Sequence, residues 1–147
     1  MPLNPARLGF RYRPYRYEVG RESVRAYAAA TFVEDPRYRF DRLDEPQGPA
    51  AVPPAFVACV AGARAWSRLM EDPELGAHGR LMHVGQEFEF ARPVHVGDVL
   101  ICTPQITDVR AARGLELLTL EVACATPDDA PVVTSRSRLV FLPEGPS

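Results

Sequence analysis

The segment from Gly85 to Asp98, GQEFEFARPVHVGD, constrains the fold of this chain more tightly than any other. From Gln86 to Phe90 polar and aromatic residues alternate strictly, so Glu87 and Glu89 fall on one face of an extended strand and Phe88 and Phe90 on the other. Pro93 and Gly97 end the alternation, and a second apolar run begins. The pattern predicts a strand, a corner and another strand. It assigns Glu87 and Glu89 to an outer polar face and gives them no catalysis.

Beyond that corner the chain is strand-like to its end. Strands are expected at about 82–92, 98–109, 115–125 and 132–142, with turns at Pro93/Gly97, Arg113-Gly114 and Pro127-Asp128-Asp129. Upstream, Pro2, Pro5 and Pro14 mark residues 1–14 as an extended arm, and Tyr15 to Val19 reads as a short strand with Tyr15, Tyr17 and Val19 on one side. Gly20 stands at an N-cap position, and Val24, Tyr27, Ala28 and Thr31 share one helical face, predicting a helix from about 20 to 31. Asp35-Pro36 stops it, because the residue before proline is pushed out of the helical region.

Residues 41–54, with Pro46, Gly48, Pro49, Pro53 and Pro54, predict an irregular loop. Pro53-Pro54 then opens a second helix running to Met70, in which Phe56, Val60, Ala63 and Met70, with Val57, Ala61 and Trp66 alongside, form a wide apolar stripe. Such a helix, apolar almost all round, is expected to be buried. A buried helix followed by a long antiparallel sheet able to wrap it is an α+β layered domain.

The 147 residues suffice for one domain that buries roughly 68–70% of its unfolded surface. Hydrophobic content of 46% and charged content of 24% exclude a disordered chain. A net charge of −2, with every basic residue an arginine, gives no bulk attraction to nucleic acid or anionic membranes. No apolar run approaches the roughly 18 residues of a membrane span, and no signal-peptide core separates Arg7 from Arg11, so a cytoplasmic location is expected. Cys59, Cys102 and Cys124 sit in apolar runs and read as reduced, buried thiols. His78, His83 and His95 lack zinc spacing, so neither a metal nor any other cofactor is expected.

The order of short strand, helix, loop, central helix and four strands resembles the hot-dog fold, with the sheet wrapped around a long central helix. His83-Val84-Gly85-Gln86-Glu87-Phe88, with Arg92-Pro93-Val94 and Gly97-Asp98, resembles the MaoC-like dehydratases. More narrowly, Tyr17-Glu18-Val19-Gly20-Arg21-Glu22, Val52-Pro53-Pro54-Ala55-Phe56 and Gly85-Gln86-Glu87-Phe88-Glu89-Phe90 resemble the N-terminal MaoC-like domain of non-catalytic subunits of mycobacterial-type (3R)-hydroxyacyl-ACP dehydratases. The resemblance runs from about residue 15 to 142, within a domain taken as 15–147.

Hydration of an enoyl thioester needs one group to handle the α-proton and another to handle the hydroxyl. The family provides them in an Asp-x-Asn-Pro-x-His loop. Laid over Thr31 to Tyr38 by its proline, the pattern places Val33 at the aspartate, Asp35 at the asparagine, Pro36 at the proline and Tyr38 at the histidine. Valine exchanges no proton, and a phenol, with an unperturbed pKa of about 10, is a poor base at neutral pH. Two readings follow for Asp35, Glu34 and Tyr38: a substituted acid/base set, or a loop that Asp35 braces while Tyr38 packs over the sheet. The retained Asp35-Pro36 favours the second.

His83 is the remaining titratable candidate, either as a proton carrier or as a structural histidine hydrogen-bonded beside Gly85. His78 and His95 fall in turns. Related thioesterases and dehydratases carry a carboxylate on the central helix, but no acidic residue lies between Pro54 and Met70. Arg64 and Arg68, four apart, read as a solvent-facing edge in preference to an anion clamp. Arg11-Tyr12-Arg13-Pro14-Tyr15-Arg16 reads as a solvated edge near a partner or, alternatively, as a contact for coenzyme A phosphates or an acidic carrier.

The resemblance thus implies an acyl-CoA- or acyl-ACP-binding chain that is a non-catalytic subunit of an (R)-specific 3-hydroxyacyl-thioester dehydratase or enoyl hydratase, a hydro-lyase. Its dimer partner would be a catalytic MaoC-like subunit. Val33, Tyr38, Pro54, Phe56 and His83 would line the substrate site. The alternatives are a homodimeric acyl-thioester-binding or regulatory protein without chemistry, and a self-sufficient lyase using Asp35, Tyr38 or His83.

Overall fold

The computed structural model describes residues 2–40, 50–76 and 80–142. His78 and most of the loop expected at 41–54 lie outside them. The elements run β1 (Tyr15–Glu18), α1 (Arg21–Ala30), α2 (Val57–Val60), α3 (Ala63–Met70), β2 (Arg80–Phe90), β3 (Val99–Ala112), β4 (Leu115–Ala125) and β5 (Pro131–Leu142), with single 3-10 turns at Pro5–Arg7, Pro36–Tyr38 and Pro54–Phe56. The strands form one antiparallel, curled sheet in the order β1-β3-β4-β5-β2. The β3–β4 hairpin turns on Arg113 and Gly114, both at positive φ, which matches the right-handed twist of the flanking strands.

Period-two alternation decides which face is buried. Leu100, Cys102 and Ile106 from β3, Leu118, Leu120, Val122 and Cys124 from β4, and Val133, Leu139 and Phe141 from β5 face inward. They join Val24 of α1 with Phe56, Val57, Val60, Ala65 and Leu69 of the central helical segment in one core. Thus the segment beginning at Phe56 lies against the inner face of the sheet.

That segment departs from the expected continuous helix. It breaks at Ala61-Gly62: Ala61 still donates to the Val57 carbonyl, and α3 restarts where Trp66 donates to the Gly62 carbonyl. A Cβ at Gly62 would run into the Ala58 carbonyl, so only glycine fits the corner. Nor is the segment buried all round. Ala58, Cys59, Ala63 and Met70 face solvent, because small or flexible apolar residues tolerate exposure and only the Val57–Val60–Ala65–Leu69 side is held by the sheet. Cys59 is therefore exposed, correcting its expected burial, whereas Cys102 and Cys124 are enclosed directly opposite each other on β3 and β4.

The N-terminal arm is fastened to the domain along its length. Tyr12 N donates to Pro104 O, Gly9 N to Ile106 O and Asn4 N to Leu75 O, while Leu3 and Tyr12 enter the core. Arg7 reaches the buried Asp72 carboxylate, which also accepts from the Tyr12 hydroxyl. The corner at Pro93–Gly97 is held similarly. Asp98 pairs with Arg92 and accepts from the His95 amide, and Gly97 N donates to Val19 O.

Candidate functional site

A mostly apolar pocket with a few polar side chains in its lining forms where β2 and β5 meet the break in the central helix. It depends on a bulge at Val84, where His83 pairs with Leu139 and Gly85 with Arg138, two steps of β2 against one of β5. In a regular strand, residues three apart point to opposite faces. The inserted residue instead puts His83 and Gln86 on the same, helix-facing side. Opposite them, Ser135 and Ser137 occupy inward positions of β5 between Val133 and Leu139, and both are buried.

Hydrogen bonding fixes the orientation of these groups. Gln86 Nε2 lies 3.2 Å from the Glu87 carbonyl, which only accepts, so the amide nitrogen must be on that side. Nε2 also donates to Ser135 Oγ at 2.7 Å. Oε1 therefore faces Ser137 Oγ at 2.8 Å and His83 Nε2 at 3.1 Å, and both must donate to it. His83 accordingly carries a proton on Nε2, and the neutral ring has its lone pair on Nδ1.

The roof consists of Ala58, Ala61, Gly62 and Ala63 around the helix break, with Trp66 on one side, and the half-open cleft has a volume of about 310 Å³. The Trp66 and His83 rings meet edge to face, with centroids 5.0 Å apart. Trp66 Nε1 is buried and has no hydrogen-bond acceptor among the described residues. The pocket thus combines an apolar wall of small residues with a floor of hydrogen-bonding groups, the usual composition of a small-molecule site.

Asp35, Tyr38 and Val33 lie elsewhere, in the segment following α1. Asp35 caps the Pro36–Tyr38 turn by accepting from Arg37 N at 3.0 Å, and it pairs with the Arg37 guanidinium at 2.7 Å. These Arg37 contacts hold its carboxyl below the usual carboxylate range. The Arg37 guanidinium also stacks over the Tyr38 ring. Val33 N donates to Ala28 O, and Phe32, at φ 57°, projects into solvent. None of the described side-chain hydrogen bonds or ring contacts joins this segment to His83.

Of the other expected lining residues, Pro54 opens an exposed turn. Phe56 is 1% exposed, with its ring enclosed edge-on by Tyr17 and Tyr27. It is part of the core, so it can act on a ligand only by bracing the wall. Arg64 and Arg68 lie on a solvent-facing edge, as expected, but their guanidinium groups are not idle there. They donate to the Arg16 and Arg13 carbonyls and flank the Tyr15 ring, clasping β1 and the arm to α3. Glu87 and Glu89 pair with Arg138 and Arg136 on the outer face.

Gln86, Ser135, Ser137 and Trp66 are pocket residues that the sequence pattern does not single out as a site. A signal existed in β5, where serines occupy the inward register of a strand otherwise carrying Val, Leu and Phe. Among the described residues no group of three or more His, Cys, Asp or Glu side chains is placed to hold a metal.

The profile of the family described as FAS1-like, dehydratase domain region, matches residues 6–135. A UPF0336 protein of Saccharopolyspora erythraea is 34% identical over 143 residues, covering 95% of this chain and 92% of its own length. One from Thermobifida fusca is 37% identical over 153 residues, covering 100% and 99%. A solved MaoC-like dehydratase, 27% identical, superimposes with a TM-score of 0.78 over 93% of this chain and 42% of its own. A chain of the Mycobacterium tuberculosis HadBC (3R-hydroxyacyl-ACP dehydratase) complex, 23% identical, gives a TM-score of 0.77 over 91% and 96%. The chain belongs to the FAS1-like dehydratase-domain family and has the hot-dog fold of the MaoC-like dehydratases.

Proposed function

We propose that this chain is the acyl-thioester-binding, non-catalytic subunit of an (R)-specific 3-hydroxyacyl-thioester dehydratase or enoyl hydratase, working in the cytoplasm beside a MaoC-like subunit that carries the catalytic Asp and His. The observation that carries this reading is the state of the loop after α1. By the resemblance, Val33 and Tyr38 stand where the family has its acid/base pair, and Asp35, at the asparagine position, is tied to Arg37 as a turn brace. Addition of water across an enoyl thioester is proton transfer alone, so no cofactor is required. The partner would supply those transfers, and this chain would shape the acyl channel with Val33, Tyr38 and the pocket at His83.

Assembly is supported by β2. It pairs only with β5 among the described strands, which leaves an 11-residue edge carrying the exposed Met82, Val84 and Phe90. Among proteins of this fold, the HadBC and ChsH1-ChsH2 structures are complexes of different subunits. A second reading, a self-sufficient lyase, is favoured by one feature, a pocket-lining His83 whose Nδ1 makes no hydrogen bond among the described residues. Hydration of a crotonyl thioester, assayed for the chain alone and mixed with a MaoC-like partner, separates the two. Activity only in the mixture is expected, and turnover by the purified chain alone would refute the proposal.

A further inference from the structure

We infer that the pocket between β2, β5 and the α2–α3 break selects acyl groups bearing a carbonyl oxygen along their length over plain alkyl chains. This inference rests on the acyl-thioester reading above. A site shaped for a saturated chain would continue the Val, Leu and Phe pattern of β5 through positions 135 and 137. Here both are buried serines, and Gln86 joins them in the same inward register.

The direction of the hydrogen bonds shows what the pocket lacks. The Glu87 carbonyl orients the Gln86 amide, so Ser135 Oγ accepts from Nε2, and the Ser135 hydroxyl proton then has no acceptor among the described residues. Trp66 Nε1–H, also buried, has none either. Two donors are therefore left over in side chains that line the same cavity, whereas the oxygens there, Gln86 Oε1, Ser135 Oγ and Ser137 Oγ, each already make a hydrogen bond and the His83 ring is exposed to solvent. Buried polar groups are normally paired, and a surplus of donors calls for an acceptor from the ligand. The apolar roof of Ala58, Ala61 and Ala63 suits the carbon chain, and the space is about ten times the roughly 30 Å³ share of one water. The occupant that fits is a keto-acyl chain, its carbonyl oxygen accepting from Ser135 or Trp66.

Trp66 is the single tryptophan of the chain and gives a single indole signal for ¹⁵N NMR. The probes are pantetheine thioesters with an oxo group at the fourth, fifth or sixth carbon, each compared with its methyl-branched hydrocarbon isostere. Occupancy is read from the amides of Ala58 to Ala63. At least one oxo probe is expected to move the indole proton downfield and to bind roughly tenfold more tightly than its isostere, with the preference reduced in Ser135→Ala. Equal binding of every pair, with the Ala58–Ala63 amides shifting and the indole proton unmoved, would overturn the inference while leaving the thioester reading intact. If no thioester moves those amides, both fall. Should Ser135→Ala not fold, the comparison in the unmodified protein decides the matter alone.

Discussion

Arg7 Nε lies 2.9 Å from Asp72 Oδ2, across 65 residues of sequence, and both residues are closed off from solvent. The same oxygen accepts from Tyr12 Oη at 2.7 Å, so one carboxylate fastens the N-terminal arm to the chain just beyond α3. Removing a member of a buried pair leaves an uncompensated charge. Asp72→Asn is expected to cost about 3 kcal/mol, and Tyr12→Phe about 1.5 kcal/mol, measured by urea unfolding.

The same carboxylate gives a signed pH dependence. Burial raises its pKa, but the Tyr12 hydroxyl, the Glu74 amide and Arg7 outweigh burial and hold it below the usual range. A depressed pKa stabilises the fold above the unfolded value of about 3.9, and that stabilisation is lost as pH falls through the folded value. The stability gap between the unmodified chain and Asp72→Asn should be constant from pH 7 to about pH 5 and narrow below about pH 4. A gap that widens on acidification would contradict the assignment.

Gly62 turns the central segment by a corner that admits no Cβ, since the Ala58 carbonyl occupies that space. Gly62→Ala should cost about 2 kcal/mol and distort the pocket roof, so thermal stability and thioester binding fall together. Unchanged melting would mean that the corner relaxes freely.

This corner also marks where the sequence stops being legible. The strands, their turns at Pro93/Gly97 and Arg113-Gly114, and the burial of Phe56 and Val60 follow from period and turn chemistry, which act locally. A glycine within an apolar helical pattern is compatible with a continuous helix, and only the packing of Ala58 against position 62 breaks it. The pocket was hidden for a related reason. Strict alternation separates His83 from Gln86, and it takes the Val84 bulge, set by pairing with the distant strand β5, to bring them together.

If Asp35 and Tyr38 are structural, conservative replacements should leave chemistry intact. Asp35→Asn and Tyr38→Phe are each expected to change hydration by the mixed complex less than about tenfold, whereas loss of a true general acid or base costs about 10²–10⁴. A collapse of turnover with Tyr38→Phe would place the phenol in the reaction.

Cysteine exposure provides a test of the fold independent of function. Cys59 is the one exposed thiol, and Cys102 and Cys124 are sealed opposite each other in the sheet. An aromatic disulfide reagent should modify one thiol in the native protein and three in denaturant. Prompt reaction of all three without denaturant would mean that the sheet opens readily.

The free edge of β2 carries the assembly argument. An unpaired strand presents a row of backbone donors and acceptors, and an isolated protein commonly blunts it with inward charges or proline. Here Met82 and Val84 project instead, 50% and 54% exposed, so they lose water only if another subunit covers them. Met82→Asp combined with Val84→Lys would bury charges at such an interface while changing little in the free chain. The double variant is expected to keep its melting temperature as a separated subunit and to weaken assembly more than about tenfold by sedimentation. Unimpaired assembly would move the interface off this edge.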